Sequence, residues 1–155
     1  MPKGKSLCVQ PTKHIYVRVT DMQNGTILDN DLHYIPDDVY PKIEKYIIEK
    51  NDVYIVIVGS TIGKVGLVPD KFDGMNLTEN AARLTPVCVN KSYLFYCLSS
   101  TLVQQQLLTK IKQEGQPKLA IIRLRSVLIP LPPLEEQARI VARVEELLAL
   151  CDGLK

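Results

Sequence analysis

The chain has 155 residues, 46% of them hydrophobic and 23% charged, which suffices for one domain with its own core and is too little for two of ordinary size plus a long helix. That balance argues against intrinsic disorder, and no apolar run approaches the roughly 20 residues needed to cross a bilayer. The net charge of +2 decides little, but its distribution is uneven. Residues 81–130 carry Arg83, Lys91, Lys110, Lys112, Lys118, Arg123 and Arg125 against Glu114 alone, while the first eighty residues are slightly acidic. A basic half on a near-neutral chain points to an anionic partner, with a scatter of solvated lysines as the alternative.

Residues 1–12 are polar and broken by Pro2, Gly4 and Pro11, and read as a loose strap. Residues 15–19 alternate in the manner of a strand, and Asn24-Gly25 is a turn signal that predicts a hairpin before residues 26–28. Asp37 and Asp38 can cap a short helix that takes Pro41 early, buries Ile43 and Ile47, and stops at Asn51-Asp52. Residues 53–58 are apolar, β-branched and short, which predicts a buried central strand. They feed Gly59-Ser-Thr-Ile-Gly-Lys64, superficially a phosphate loop. That loop needs four residues between its glycines, a Ser or Thr after the lysine, and a helix next. Here there are three, Val65 follows, and residues 65–68 look like a strand, so the glycines are read as a tight hairpin or bulge with Ser60, Thr61 and Lys64 at its tip.

Residues 69–74 read as a turn and residues 75–89 as two more strands. Asn90 or Ser92 caps a helix carrying Tyr93, Tyr96, Cys97, Leu98, Leu102 and Val103. A second helical run carries Leu107, Leu108 and Ile111, shows Gln104, Gln105, Lys110 and Lys112 outward, and breaks at residues 115–117. Residues 119–122 and 127–129 read as short strands around Arg123 and Arg125. Pro130, Pro132 and Pro133 then forbid a helix upstream of a sharp start. Glu135 and Glu136 favour its first turn through the helix dipole, and Glu135 can pair with Arg139. Ile140, Val144, Leu147, Cys151 and Leu154 follow helical spacing, with Leu134, Val141 and Leu148 in a flanking row. A helix reaching roughly 30 Å with so broad a stripe exceeds what its own domain needs, and its stripe suits a second helix. An ordinary terminal helix packed on its own domain is the alternative.

Cys8, Cys88, Cys97 and Cys151 have no metal-ligand spacing, and His14 and His33 are the only imidazoles, so no metal site is expected. Cys97 and Cys151 read as buried, reduced thiols, as in the cytoplasm. Two Asn-x-Ser/Thr triplets, at Asn76 and Asn90, read as chance matches because no apolar signal region precedes them. No nucleophile and base pair is oriented by any motif, and the carboxylate pairs are explained as helix caps and solvated faces.

Residues 129–141, Ile-Pro-Leu-Pro-Pro-Leu-Glu-Glu-Gln-Ala-Arg-Ile-Val, resemble the signature closing each target-recognition domain in the specificity subunits of type I restriction-modification systems. Tyr16-Val-Arg-Val-Thr-Asp-Met22 resembles an early strand of such a domain, and residues 52–68 its central Gly-x-x-Gly-Lys segment. Asn80-Ala-Ala-Arg-Leu, Tyr93-Leu-Phe-Tyr-Cys-Leu and Gly115-Gln-Pro-Lys-Leu fall in the same order. Complete subunits of that family have two recognition domains and two spacer helices. One set stands here, without the usual N-terminal strand and its glycine loop, which reads as a fragment, an isolated half, or a half-sized subunit that pairs with a copy.

The resemblance implies an α/β fold of the α+β type: one recognition domain over residues 1–130, with mixed sheet and flanking helices, and a projecting spacer helix over residues 131–155. It implies a non-catalytic reader of double-stranded DNA that directs methyltransferase and restriction subunits to a site and needs no cofactor. Expected DNA-contact residues are Ser60, Thr61, Lys64, Asn80 and Arg83, with Lys110, Lys112, Gln116, Lys118, Arg123 and Arg125 from the basic half. Expected helix-pairing residues are Leu134, Ile140, Val141, Val144, Leu147, Leu148, Cys151 and Leu154, facing a second recognition half or another copy. The alternatives are a helix-mediated protein-interaction module and a recognition fragment of a fused restriction enzyme.

Overall fold

The computed structural model describes residues 1–2, 4–111 and 117–153. Its organising strand lies where the apolar run predicts it. Among the described residues, β1 (Tyr16–Val17) comes first, followed by a 3-10 turn over Val19–Asp21, then β2 (Met22–Gln23) and β3 (Thr26–Ile27). Next come β4 (Ile47–Ile48), β5 (Val53–Val56), β6 (Val65–Leu67), β7 (Met75–Leu77) and β8 (Ala81–Leu84). The helices are α1 (Lys91–Ser99), α2 (Thr101–Lys110), α3 (Ile121–Leu124) and α4 (Leu134–Asp152). β5 is central in an antiparallel sheet ordered β6-β5-β8, while β1-β7-β4 is a mixed sheet with β1 and β7 parallel.

All four residues of β5 are buried because both of its faces meet apolar layers. Val53 and Ile55 point into a core with Tyr93, Leu94, Cys97 and Leu98 of α1, Val103 and Leu107 of α2, and Leu119 and Leu124. Tyr54 and Val56 point the other way, onto Val17, Met22, Ile27, Ile48 and Phe72. The strand period of two therefore deals successive residues of one apolar run to two separate cores. The Asn24-Gly25 hairpin is present, with φ of 53° and 72° at its two turn residues, the positive values a two-residue turn requires. It joins β2 to β3, whereas of the alternating stretch before it only β1 is a strand, and that strand pairs with β7 in another sheet.

Several short-range expectations are corrected. The helix expected after Asp37 and Asp38 is a single 3-10 turn, Tyr40–Lys42; Ile43 is buried behind it, while Ile47 has passed into β4. Asn90, not Ser92, caps α1 by accepting from Tyr93 N at 3.0 Å. Leu108 on α2 is exposed, and Gln104 is drawn inward instead of facing out. Residues 119–129 form no strands: α3 occupies Ile121–Leu124, and a single bridge from Lys118 to Val58 is the only sheet-like contact there among the described residues. Cys97 is buried as expected, but Cys151 is exposed.

The proline segment ends sharply at α4, with Pro133 as its N-cap residue and Gln137 N closing the first helical bond onto Pro133 O at 3.0 Å. Arg139 pairs with Glu136, not Glu135. Gln137 explains why a glutamine follows the prolines. It is buried, accepts from Asn90 N at 2.8 Å and donates to Pro132 O at 2.8 Å, welding the start of α4 to the cap of α1. Tyr93 Oη adds a bond to Pro130 O at 2.9 Å. Ile140 and Val141 then pack on the α1 and α2 core. Beyond them α4 leaves its domain, and Leu147, Leu148 and Leu150 are 45%, 50% and 61% exposed.

Candidate nucleic-acid interface

Two separate walls make the site. One is the turn preceding β2, held by Arg18, whose guanidinium donates to the buried carboxylate of Asp21 at 2.7 Å and reaches Asp31 at 3.0 Å. The Arg18 amide also bonds Asp21 at 2.8 Å, which fixes the turn that carries Thr20. Gln23 folds back to donate to Thr20 O at 2.7 Å. The other wall is the loop between β5 and β6, where Gly59 and Gly63 adopt φ of 104° and 90°. It closes through Gly63 N to Val56 O at 3.0 Å and Lys64 N to Thr61 O at 3.1 Å. The walls are locked together behind, since Leu67 N donates to Gly25 O at 2.8 Å and Tyr54 Oη to Thr26 O at 2.6 Å.

Between them lies an open cleft of about 340 Å³ lined by Val19, Thr20, Gln23, Val58, Gly59, Ser60, Thr61, Lys64 and Asn80. Asn80 enters at its base because its carbonyl accepts from Ile57 N and Val58 N at 2.8 and 3.1 Å, ending β5 at that point. Among the described residues, the side-chain polar atoms of Ser60, Thr61, Lys64 and Asn80 have no intramolecular hydrogen bond or ion pair. Hydroxyls, an amide and an ammonium thus stand together with their bonding capacity unused.

Four of the sequence-expected contact residues therefore meet in one place. Lys118 lies beside them, since the Lys118–Val58 bridge and the bond from Gly59 N to Pro117 O at 3.1 Å lay its segment against the loop. Arg123 is elsewhere, its guanidinium donating to Lys110 O at 3.0 Å at the end of α2. Arg83 and Arg125 line a different cavity, a largely apolar groove of about 1310 Å³ running along β8. Arg83 is also engaged internally, 3.4 Å from the fully buried Asp52 and 3.5 Å from Glu49. Lys112, Gln116 and Leu154 lie outside the described residues. Thr20 and Gln23 were missed by sequence reasoning. Their only signal is adjacency to the Asn24-Gly25 turn, and nothing local links them to a loop some forty residues on.

Fold and cleft define a class: a small α+β module that presents clustered hydrogen-bonding side chains on rigidly held loops and continues into a protruding helix. The chain belongs to the type I restriction modification DNA specificity domain family, whose model matches residues 1–155. It is 31% identical over 141 residues to the EcoBI specificity subunit of Escherichia coli, covering 90% of this chain and 29% of that protein. The HsdS subunit of Thermoanaerobacter tengcongensis superposes with a TM-score of 0.74 at 26% identity, over 91% of this chain and 37% of that one. A chain from a structure of type I R-M complex assembly and conformational transition gives 0.72 at 25% identity with the same coverage. The chain thus spans between 29% and 37% of the length of these relatives. The α+β fold expected from the sequence is the fold these neighbours share.

Proposed function

We propose that this chain is a target-recognition unit that reads double-stranded DNA through the cleft between the β2 turn and the β5–β6 loop. The observation that carries the reading is the set of unengaged polar side chains, Ser60, Thr61, Lys64 and Asn80, lining one cleft with Gln23. Base edges are distinguished by paired donors and acceptors of this kind, whereas phosphates are held by cations that carry no sequence information. Lys118, Lys110, Arg123 and Arg125 suit the second task. Arg83 is better suited to its ion pair with Asp52, and we do not count it among the readers. Residues 1–130 would form the recognition unit and residues 131–155 the spacer. The role is one of address, with no catalytic step and no cofactor of its own, exercised in the cytoplasm where the DNA is.

The exposed leucines of α4 favour a second role in the same molecule. Leu147 and Leu148, with Leu134, Val144 and Cys151, would seat a second helix from another recognition half or another copy, and methylase and restriction subunits would assemble around that pair. Ile140 and Val141 serve their own domain instead.

A randomised duplex pool passed over the assembled complex tests the DNA reading. We expect enrichment of a defined sequence, and Lys64→Ala or Gln23→Ala should reduce preference for it by about 1–3 kcal/mol with little change on scrambled DNA. Lys118→Glu should weaken all sequences alike. If Lys64→Ala and Gln23→Ala leave the preference intact, the cleft is not the reading surface.

A further inference from the structure

The β5–β6 loop holds Ser60, Thr61 and Lys64, yet none of these side chains fixes it. Its own turns close it internally, and among the described residues one side chain from another element anchors it. Gln104, in the first turns of α2, donates from Nε2 both to Gly63 O at 2.9 Å and to Leu98 O at 2.8 Å. One amide therefore clamps the loop to the C-terminal turn of α1, which is itself packed into the core through Cys97 and Leu98. Ser100 caps α2 beside it, its hydroxyl donating to Cys97 O at 2.6 Å, so the helix bearing Gln104 is set by the same turn. The contact is close on the other side too. Gly63 is buried, and a Cβ there would stand 2.8 Å from Gln104 Oε1. A side chain here would crowd the amide away from the loop, and the same glycine has the positive φ that the turn needs.

We infer that Gln104 is a positioning residue for sequence discrimination: it touches no DNA, and it fixes where the β5–β6 loop presents Ser60, Thr61 and Lys64. This deepens the proposed reading of the cleft and rests on it. The physical basis is that a hydrogen-bonding group discriminates between bases only while its donor stays within a few tenths of an ångström of the acceptor. Phosphate attraction is tolerant of such displacement. Loosening the loop should therefore erode preference without eroding overall affinity.

The test uses Gln104→Met, which keeps the length and packing of the side chain but removes both donors, with Gln105→Met as the exposed neighbour control. Two measurements are made on the full chain. Hydrogen exchange reads the loop itself: the amides of Gly63 and Lys64 should exchange about tenfold faster in Gln104→Met and be unchanged in Gln105→Met. Binding by the assembled complex to the duplex enriched from a randomised pool, and to its scrambled counterpart, reads discrimination. The ratio of the two affinities should fall about tenfold in Gln104→Met, with scrambled affinity and salt dependence unchanged. Unchanged exchange would overturn the clamp whatever the DNA data show. Faster exchange with an intact affinity ratio would overturn its role in discrimination. Failure of the unmodified protein to enrich any sequence would reject the DNA reading itself, and the role of Gln104 in discrimination with it, while the exchange result would still report on the clamp.

Discussion

Asp52 shows how one buried charge organises the residues around it. It is fully buried, yet its carboxylate accepts from Thr85 Oγ1 at 2.5 Å, Glu49 N at 2.8 Å and Arg83 Nη1 at 3.4 Å, so its lone pairs are used. We expect Asp52→Ala to lower unfolding stability by about 3 kcal/mol, because it strands three donors at once. Arg83→Ala should cost about 1 kcal/mol or less, its guanidinium being partly solvated. Denaturant titration of both variants checks this, and a larger loss from Arg83 would reverse the assignment. Two phenols set an alkaline limit in the same way. Burial, with the hydrogen bond to Glu79 adding to it, pushes Tyr16 from the ordinary value of 10.0 up to about 12, and burial raises Tyr54 as well. The folded state thus favours the protonated phenols. The Tyr16 contribution is whole below pH 10 and is lost as pH rises through about 12, and that of Tyr54 is lost in the same direction. Unfolding midpoints measured across that window should fall, and Tyr16→Phe should flatten the fall.

At the scale of elements, the C-terminal helix divides into a docked start and an exposed end. Gln137→Ala should unlatch its start, since Asn90 N and Pro132 O both lose their partner, at a cost of about 1–3 kcal/mol. Leu147→Glu should leave stability within about 0.5 kcal/mol, because the residue lies on the exposed half. It should instead abolish self-association or subunit assembly in sedimentation; unaltered assembly would place the partner surface elsewhere. The elements legible in the sequence were those with a strong local signature: the apolar strand β5, the Asn24-Gly25 hairpin, and a helix started by prolines. Residues 119–129 were misread because periodicity cannot separate a short apolar strand from one helical turn. The leucine stripe was visible as a stripe, but its division at Val141 was not. That division depends on where the α1 and α2 surface ends, which no local pattern encodes.

Across the whole molecule, the proposed reading cleft is assembled from segments far apart in the chain. The Gly59–Lys64 loop and Asn80 could be proposed from sequence, but Thr20 and Gln23 joined them only through pairing of the hairpin to β6. The basic residues concentrated over residues 81–130 likewise concealed a division: Lys118 beside the cleft, Arg123 at the end of α2, and Arg83 and Arg125 along the apolar groove. Reading and holding should therefore be separable in solution. Affinity of the assembled complex for its enriched duplex and for a scrambled duplex, measured over a range of salt concentration, is the direct measurement. Each phosphate neutralised adds roughly −0.9 to the slope of log affinity against log salt. We expect two lines of similar steep slope, set by the shared phosphate contacts, separated by about a thousandfold or more in affinity from contacts to base edges. Two coincident lines would mean that the molecule holds DNA without reading it, and would contradict the assignment of the cleft.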